Sequence, residues 1–339
     1  MSTNFLESSW TKPDNTFETP LRPKELADFC GQEKIRQRLK IFIGAAQKRE
    51  EALDHCLFSG PPGLGKTTLA HIIANTVGTT IVTTSGPAIE KAADLAGILT
   101  SLPKGGILFI DEIHRLDKSV EEYLYPAMED FKLDLMIDSG PSARSVQIDL
   151  NPFTLIGATT RSGLLSSPLR SRFIFNGRLD FYSSEELQII IKRSSKLLKM
   201  EIDSEGAELI AKRSRGTPRI ANNLLRWARD YTQMKNEKLL TKEVADNAMQ
   251  MLSIDAEGLD EMDKKILDMI IHHHSGGPVG IKTLSLAIGE EPNTIEEVYE
   301  PFLVQKGFIK RTSRGREATK LAYKHLGLTN PKKNNGESL

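Results

Sequence analysis

One stretch leaves this chain few folds to choose from: Gly60-Pro61-Pro62-Gly63-Leu64-Gly65-Lys66-Thr67. It has the spacing G-x-x-x-x-G-K-[ST], with the strand-like "DHCLFSG" ahead of it and the helix-like "KTTLAHIIANTVG" behind. Glycines let successive backbone N–H groups turn inward around phosphate oxygens, and the helix N-terminus adds its partial positive charge. In such a loop Lys66 reaches the outer phosphates and Thr67 holds Mg²⁺ through its hydroxyl. Thr68 adds a contact to the inner phosphates, and Gly63 belongs to the backbone cradle. A glycine loop that merely caps a helix is the plainer alternative, and the strand–loop–helix context argues against it.

A second stretch, "ILFIDEIHRL", sets two adjacent carboxylates among five apolar side chains, Ile107 to Ile110 and then Ile113. Charge beside a hydrophobic run is costly unless something offsets it. A strand buried beside the phosphate-loop strand delivers its C-terminal residues to the nucleotide crevice. Asp111 is therefore expected at the magnesium site, and Glu112 is expected to polarise the attacking water. An ordinary ion pair at a strand end is the competing reading.

The rest of the chain supplies a framework for these motifs. "TIVTTSG", "GGILFIDE" and "TLIGATT" read as strands and alternate with helical stretches, which implies a parallel α/β sheet. "KLDLMIDSGPSARSVQIDL" interrupts that rhythm with two period-2 segments about a Ser-Gly-Pro-Ser turn. Leu133, Leu135 and Ile137 answer Val146, Ile148 and Leu150, so it reads as a hairpin with one apolar face. After "RLDFYS" the strand signals stop, and residues 184 to about 252 read as helical throughout. From Met262 the pattern is three helices and a β-like ribbon, the layout of a winged helix-turn-helix. These breaks place domains at 1–182, 183–253 and 254–339, with loose ends before about residue 19 and over the last dozen residues.

Composition excludes more than it selects. Lys plus Arg and Asp plus Glu both number 45, so any nucleic-acid surface must be a local patch. The two cysteines, Cys30 and Cys56, each lie beside apolar residues and read as reduced core thiols of a cytosolic protein. No apolar run approaches the roughly 18 residues that span a bilayer, and the N-terminus lacks the pattern of a signal peptide, so a cytoplasmic location with no membrane partner is expected. His272, His273 and His274 diverge around a helix with no Cys or acid pair at ligand spacing, and read as a polar helix end.

"LRPKELADFCGQEKI", "GPPGLGKTTLA", "LFIDEIHRL", "GATTR", "SPLRSRF", "GTPRIANNLLRW" and "KRTSRGREAT" follow one another in order. The two nucleotide motifs resemble the AAA+ ATPases, and the ordered set resembles the bacterial RuvB family over residues 20 to 327. The resemblance implies an AAA+ P-loop domain, a helical lid and a winged-helix DNA-binding domain. It further implies a hexameric ring that hydrolyses ATP with Mg²⁺ and drives branch migration of four-way DNA junctions in recombination and repair. Leu21 and Arg22 would flank the adenine, and Thr160 matches the sensor that orients the lytic water. Arg172 matches the arginine finger offered to a neighbouring subunit's ATP, with Arg170 close enough to be confused with it. Arg219 matches the second sensor, Tyr182 the nucleotide contact at the domain hinge, and Glu129, Asp130 and Phe131 a further nucleotide-proximal segment. "IFNGRLDFY" departs from the family's usual approach after "SRF".

The hairpin at 132–150 resembles the element that docks the junction-recognition partner, RuvA, and a RuvC-like resolvase is implied in a larger complex. Between Lys306 and Lys324 seven basic residues face one acid, Glu317. Arg311 and Arg316 match the family's DNA-contacting positions, with Arg314 as a third. Basic side chains on a ribbon reach phosphates without reading bases, which suits a motor that passes any duplex sequence. A clamp-loader-like ATPase and an ATP-switched winged-helix transcription regulator are the competing readings. The first ends in a helical collar rather than an Arg-rich wing, and the second needs a sensory domain for which the chain has no room.

Overall fold

A computed structural model of the chain describes residues 15–136 and 145–329. They fall into two compact units, Asn15–Ile190 and one that begins at Ile191. The first is a five-stranded parallel sheet built from β1 (Cys56–Ser59), β2 (Ile81–Ser85), β3 (Ile107–Asp111), β6 (Thr154–Thr159) and β7 (Phe175–Arg178). Across the sheet the order is β2, β3, β6, β1, β7. This corrects one expectation: β3 does not neighbour the phosphate-loop strand, because β6 lies between them. All six β6 residues are buried, as suits a strand flanked on both sides and covered on both faces.

Helices α2 (Glu33–Arg49), α3 (Lys66–Val77), α4 (Ala92–Ser101) and α5 (Lys118–Glu129) complete this layer arrangement. One hydrophobic cluster joins Leu108 and Ile110 of β3 to Leu95 and Leu99 of α4 and to Val120 and Leu124 of α5. His55 ties the entry of β1 to this core. Its Nδ1 accepts from Leu155 N at 2.9 Å while Nε2 lies 3.0 Å from the Met128 carbonyl. Burial lowers its pKa, and a neutral ring with the proton on Nε2 satisfies both bonds.

Two local expectations are revised. Residues up to about 19 read as loose, yet Asn15–Leu21 forms helix α1. Leu21 at 4% exposure anchors that helix, and Glu18 pairs with Arg22 at 3.3 Å. The unusual "IFNGR" segment forms the edge strand β7 without interruption. A Cβ at Gly177 would stand 3.0 Å from the Phe58 ring, so glycine there lets the ring pack flat on the strand. The hairpin pairs β4 (Lys132–Met136) with β5 (Ser145–Asp149), with Leu133 opposite Ile148 and Leu135 opposite Val146. Its turn and Ile137 lie outside the described residues, as do the chain's two ends. Cys30 and Cys56 carry free thiols.

The second unit continues α7 (Ser184–Leu197) into a bundle with α8 (Ser204–Arg213), α9 (Pro218–Met234) and α10 (Lys242–Met251). A two-residue parallel pair, β8 (Glu201–Ile202) with β9 (Leu239–Leu240), sits inside a stretch read as wholly helical. Strands so short carry no period-2 signal. The winged helix follows, with α11 (Glu261–Asp268), α12 (Ile281–Ile288), a helical run over 292–305, and the ribbon β10 (Ile309–Thr312) with β11 (Gly315–Ala318). His272 and His273 fall in a π-helical turn after α11, with His272 Nε2 3.6 Å from Asp268 Oδ1.

A buried charge cluster joins the bundle to the winged helix. Arg215, 1% exposed, pairs with Asp263 and lies 3.3 Å from Asp260, donates to the Gly258 carbonyl at 3.0 Å, and stacks 4.7 Å from the Phe302 ring centre. Burial, reinforced by the neighbouring Asp260 and only partly opposed by Arg215, pushes the Asp263 carboxyl up to about 8. The folded protein thus holds a proton that the unfolded chain releases near pH 4. Stability of this unit should therefore fall as pH rises from about 4 to 8 and level off above that. Thermal unfolding across this range should show the slope in the wild type and a flatter one in Asp263→Asn.

Candidate functional site at the sheet edge and the wing

The phosphate loop leaves β1 under tight steric control. Gly60 has φ +136°, and a Cβ on it would stand 2.4 Å from the Leu179 carbonyl oxygen. Gly65 has φ +104°, with Phe29 ring atoms 3.0 Å from where its Cβ would be. Only glycine meets both demands. The loop opens α3, so its N-terminal amides face the concavity. Lys66, 6% exposed, donates to the Gly60 and Pro61 carbonyls at 2.7 and 2.9 Å, which holds its ammonium over the loop. Thr68 is buried, and Thr67 and Gly63 are half-buried.

β6 brings Thr160 between that loop and the acids of β3. Gly60 N donates to the Thr159 carbonyl at 3.2 Å, so loop and sensor strand share a hydrogen bond. Glu112 Oε2 accepts from Thr160 N at 3.2 Å and from Thr160 Oγ1 at 3.0 Å. Asp111 Oδ1 accepts from Glu112 N at 2.9 Å. Glu112 has φ +45°, in the left-handed region that a non-glycine residue rarely occupies. His114, not singled out by the sequence reading, lies with Nδ1 3.1 Å from Glu112 Oε2 and 3.0 Å from Thr159 Oγ1. Its place two residues after Glu112, in a turn that folds back, was the only signal available.

The remaining candidates divide into three groups. Tyr182 is buried, and its hydroxyl donates to the Leu64 carbonyl of the phosphate loop at 3.1 Å. Burial raises its pKa, so the phenol keeps its proton and remains a donor. Leu21 is buried in α1, and Arg22 is half-buried beside Glu18. Arg172 lies at the end of α6 (Ser167–Ser171), where it pairs with Glu129 at 3.0 Å. Arg170 sits on the same short helix. Asp130 caps α5, and Phe131 turns inward to meet Phe153 edge-on at 5.9 Å, so its ring serves the core. In the second unit Arg219 stands in the first turn of α9, behind Pro218.

The wing sorts its arginines by burial. Arg311 and Arg316 are directly opposed across the ribbon, and Arg314 is exposed near its tip. Arg316 is 7% exposed and hydrogen-bonded to Glu300 at 2.9 and 3.2 Å and to Glu296 at 2.7 Å. Arg311 is exposed, yet also reaches Glu300 at 3.1 Å and Glu296 at 3.3 Å. A third strand-like segment closes the wing, with Arg316 N donating to Val279 O at 2.8 Å. The basic run is therefore not uniformly a solvated face: Arg316 supports the ribbon that presents Arg311 and Arg314.

A phosphate loop, a nearby pair of acids, a threonine at the end of the intervening strand bonded to one of them, a helical bundle and a winged helix define an AAA+ P-loop ATPase that carries a DNA-binding-type domain. Family models agree along almost the whole chain: the Holliday junction DNA helicase RuvB P-loop domain matches residues 21–179, the RuvB AAA lid domain 182–255, and the RuvB C-terminal winged helix domain 256–327. The chain belongs to the RuvB family. It is 63% identical over 326 residues to the Holliday junction branch migration complex subunit RuvB of Protochlamydia amoebophila, covering 96% of this chain and 98% of that protein. Identity to the Chlamydia trachomatis subunit of the same name is 57% over 324 residues, with 96% and 97% covered. Among solved structures, the Thermotoga maritima RuvB Holliday junction branch migration motor superposes with a TM-score of 0.84 at 53% identity, over 92% of this chain and all of that one.

The wing geometry gives a contrast between neighbours. Replacing Arg311 and Arg314 with Ala should make the slope of log affinity against log salt shallower by roughly 2, with folding unchanged. Arg316→Ala should cost about 3 kcal/mol of stability, because it strips a partner from the buried Glu300. Anisotropy over a salt series and thermal unfolding of the same variants check the two halves.

Proposed function

We propose that the chain is the ATP-hydrolysing motor of Holliday junction branch migration, acting in DNA recombination and repair. The observation that carries it is the hydrogen-bonded arrangement of Glu112 with Thr160 one strand away from the phosphate loop. This is the place where a water must lie to attack a γ-phosphate held by Lys66 and the loop amides. Thr67 and Asp111 supply oxygen donors of the kind a hard dication takes, so they fit Mg²⁺. When bound, that ion neutralises charge on the β- and γ-phosphates. Glu112 polarises the water, and Thr160 fixes the carboxylate's orientation. Thr68 and Gly63 bind the inner phosphates, Leu21 and Arg22 flank the adenine, and Tyr182 holds the loop at the hinge between ATPase and lid. Arg219 reads the γ-phosphate from the lid. Arg172 stabilises the transferring phosphoryl group of a neighbouring subunit, and Glu129, Asp130 and Phe131 belong to that same flank.

The domains in this reading are 1–182, 183–253 and 254–339. Subunits form a ring, in keeping with a finger that serves a neighbour, and a hexamer is the size the family suggests. Arg311 and Arg314 make up the duplex-facing wing, and the buried Arg316, expected there from the family match, braces it through Glu296 and Glu300. The 132–150 hairpin docks a RuvA-like junction-recognition protein, with a RuvC-like resolvase joining the larger complex. No helix among the described residues is long and apolar enough to cross a membrane, in keeping with action in the cytoplasm.

ATP-dependent dissociation of a synthetic four-way junction, with and without the junction-binding partner, tests the whole reading. Within it, Glu112→Gln should retain ATP affinity and lose nearly all turnover, since Lys66 and Thr67 remain in place. Nucleotide affinity falling along with the rate would count against this division of labour. Equilibrium binding and steady-state hydrolysis of the same variant measure the two quantities.

A further inference from the structure

Glu121, Tyr125 and Glu129 recur at four-residue spacing on α5 and so form one stripe along its face. That stripe meets α6, the short helix whose C-cap is Arg172. The Tyr125 ring centre lies 4.4 Å from the Arg172 guanidinium carbon. Glu129 pairs with Arg172 from the next turn, and the Pro168 carbonyl accepts from Arg172 Nη1 at 2.7 Å. The ring itself is clamped. Its hydroxyl donates to Glu121 Oε1 at 2.6 Å and lies 3.3 Å from Ser166 Oγ. Ser166 also donates to Glu121, and it caps α6 by accepting from Leu169 N at 3.2 Å. One small hydrogen-bonded group therefore fixes both the ring and the start of the helix that ends at Arg172.

From this geometry we propose that Tyr125 positions Arg172 for catalysis, as the aromatic platform on which the guanidinium rests while it faces the neighbouring subunit's nucleotide. The inference rests on the reading of Arg172 as a finger that acts in trans. An aromatic face attracts a cation without neutralising it, so the full charge remains for the transferring phosphoryl group. Glu129 differs. Its side chain is 55% exposed, and a pair with so exposed a carboxylate is weak enough to exchange for phosphate. Arg172 Nε, buried and without an acceptor among the described residues, leaves the guanidinium with a donor still to be satisfied. The platform persists while the acidic partner is replaced.

Three variants in the full chain test this. Tyr125→Leu, which keeps bulk but removes the face, should lower kcat for ATP roughly tenfold with KM unchanged. Tyr125→Phe, which keeps the face, should stay within roughly twofold of wild type. Mixing Tyr125→Leu with Glu112→Gln subunits should restore part of the hydrolysis, since some interfaces then combine an intact Glu112 with an intact platform. Arg172→Ala mixed in the same way serves as the reference. Recovery with Arg172→Ala but none with Tyr125→Leu overturns the platform and leaves the trans finger standing; recovery with neither overturns both. A kcat unchanged in Tyr125→Leu, or equally low in Tyr125→Phe, also overturns the platform.

Discussion

The close passage of Gly60 against the Leu179 backbone is the constraint from which the rest of the site follows. With a side chain at that position, β1 could not leave the sheet where it does. Because it does, the Gly60 and Pro61 carbonyls fall where the Lys66 ammonium can be held, and Gly60 N stays bonded to the end of β6. The loop is thus fastened to the strands on both sides, to β7 by contact and to β6 by a hydrogen bond. A phosphate cradle built this way is organised before nucleotide arrives, so little binding energy is lost to ordering it.

The strand order extends that control to the reacting centre. β6 lies between the loop strand β1 and β3, so the loop and the acids Asp111 and Glu112 are two strand spacings apart, roughly 10 Å. That gap is where Thr160 sits, and its backbone and hydroxyl both hold one oxygen of Glu112. Glu112 accepts a left-handed backbone at the strand end, and its carboxylate bonds to Thr160 while that of Asp111 accepts from the Glu112 amide. Adjacent like charges repel each other, and separate hydrogen-bond partners offset that cost. That division suits the proposed roles, in which Asp111 would serve the metal site and Glu112 the water.

How much of this could be read beforehand depended on whether the demand was local. Glycines at fixed offsets, acids closing an apolar strand and a basic ribbon all express chemistry within a few residues, and the sheet, bundle and winged helix were legible from periodicity. Strand order was not, because nothing in "TLIGATT" says which neighbours it will take. Arg316 was counted with the exposed basic run, but Glu296 and Glu300 reach it from a helical run 20 and 16 residues away. Phe131 matched a nucleotide-proximal segment by position, and its ring turns to the core because φ at that residue is +54°. Helix α1 escaped notice because seven residues are too few to establish a helical period.

The two ends of the catalytic apparatus occupy different flanks of one ATPase unit. Glu112 answers to Thr160 and His114, whereas the contacts of Arg172 are with Pro168, Tyr125 and Glu129. On the proposed reading of Arg172 as a finger acting in trans, a guanidinium held by its own α5 and α6 would complete a site only in a second copy. Charge argues the same way. Pairing with Glu129 engages Arg172 Nη2 but leaves Nε without an acceptor among the described residues, and on the same reading exchange of that exposed carboxylate for a phosphoryl group would replace one anion by a more highly charged one. On that reading assembly is a condition of fast hydrolysis rather than an addition to it, because the group that stabilises the transferring phosphoryl and the acid that polarises the water would come from different copies of the chain.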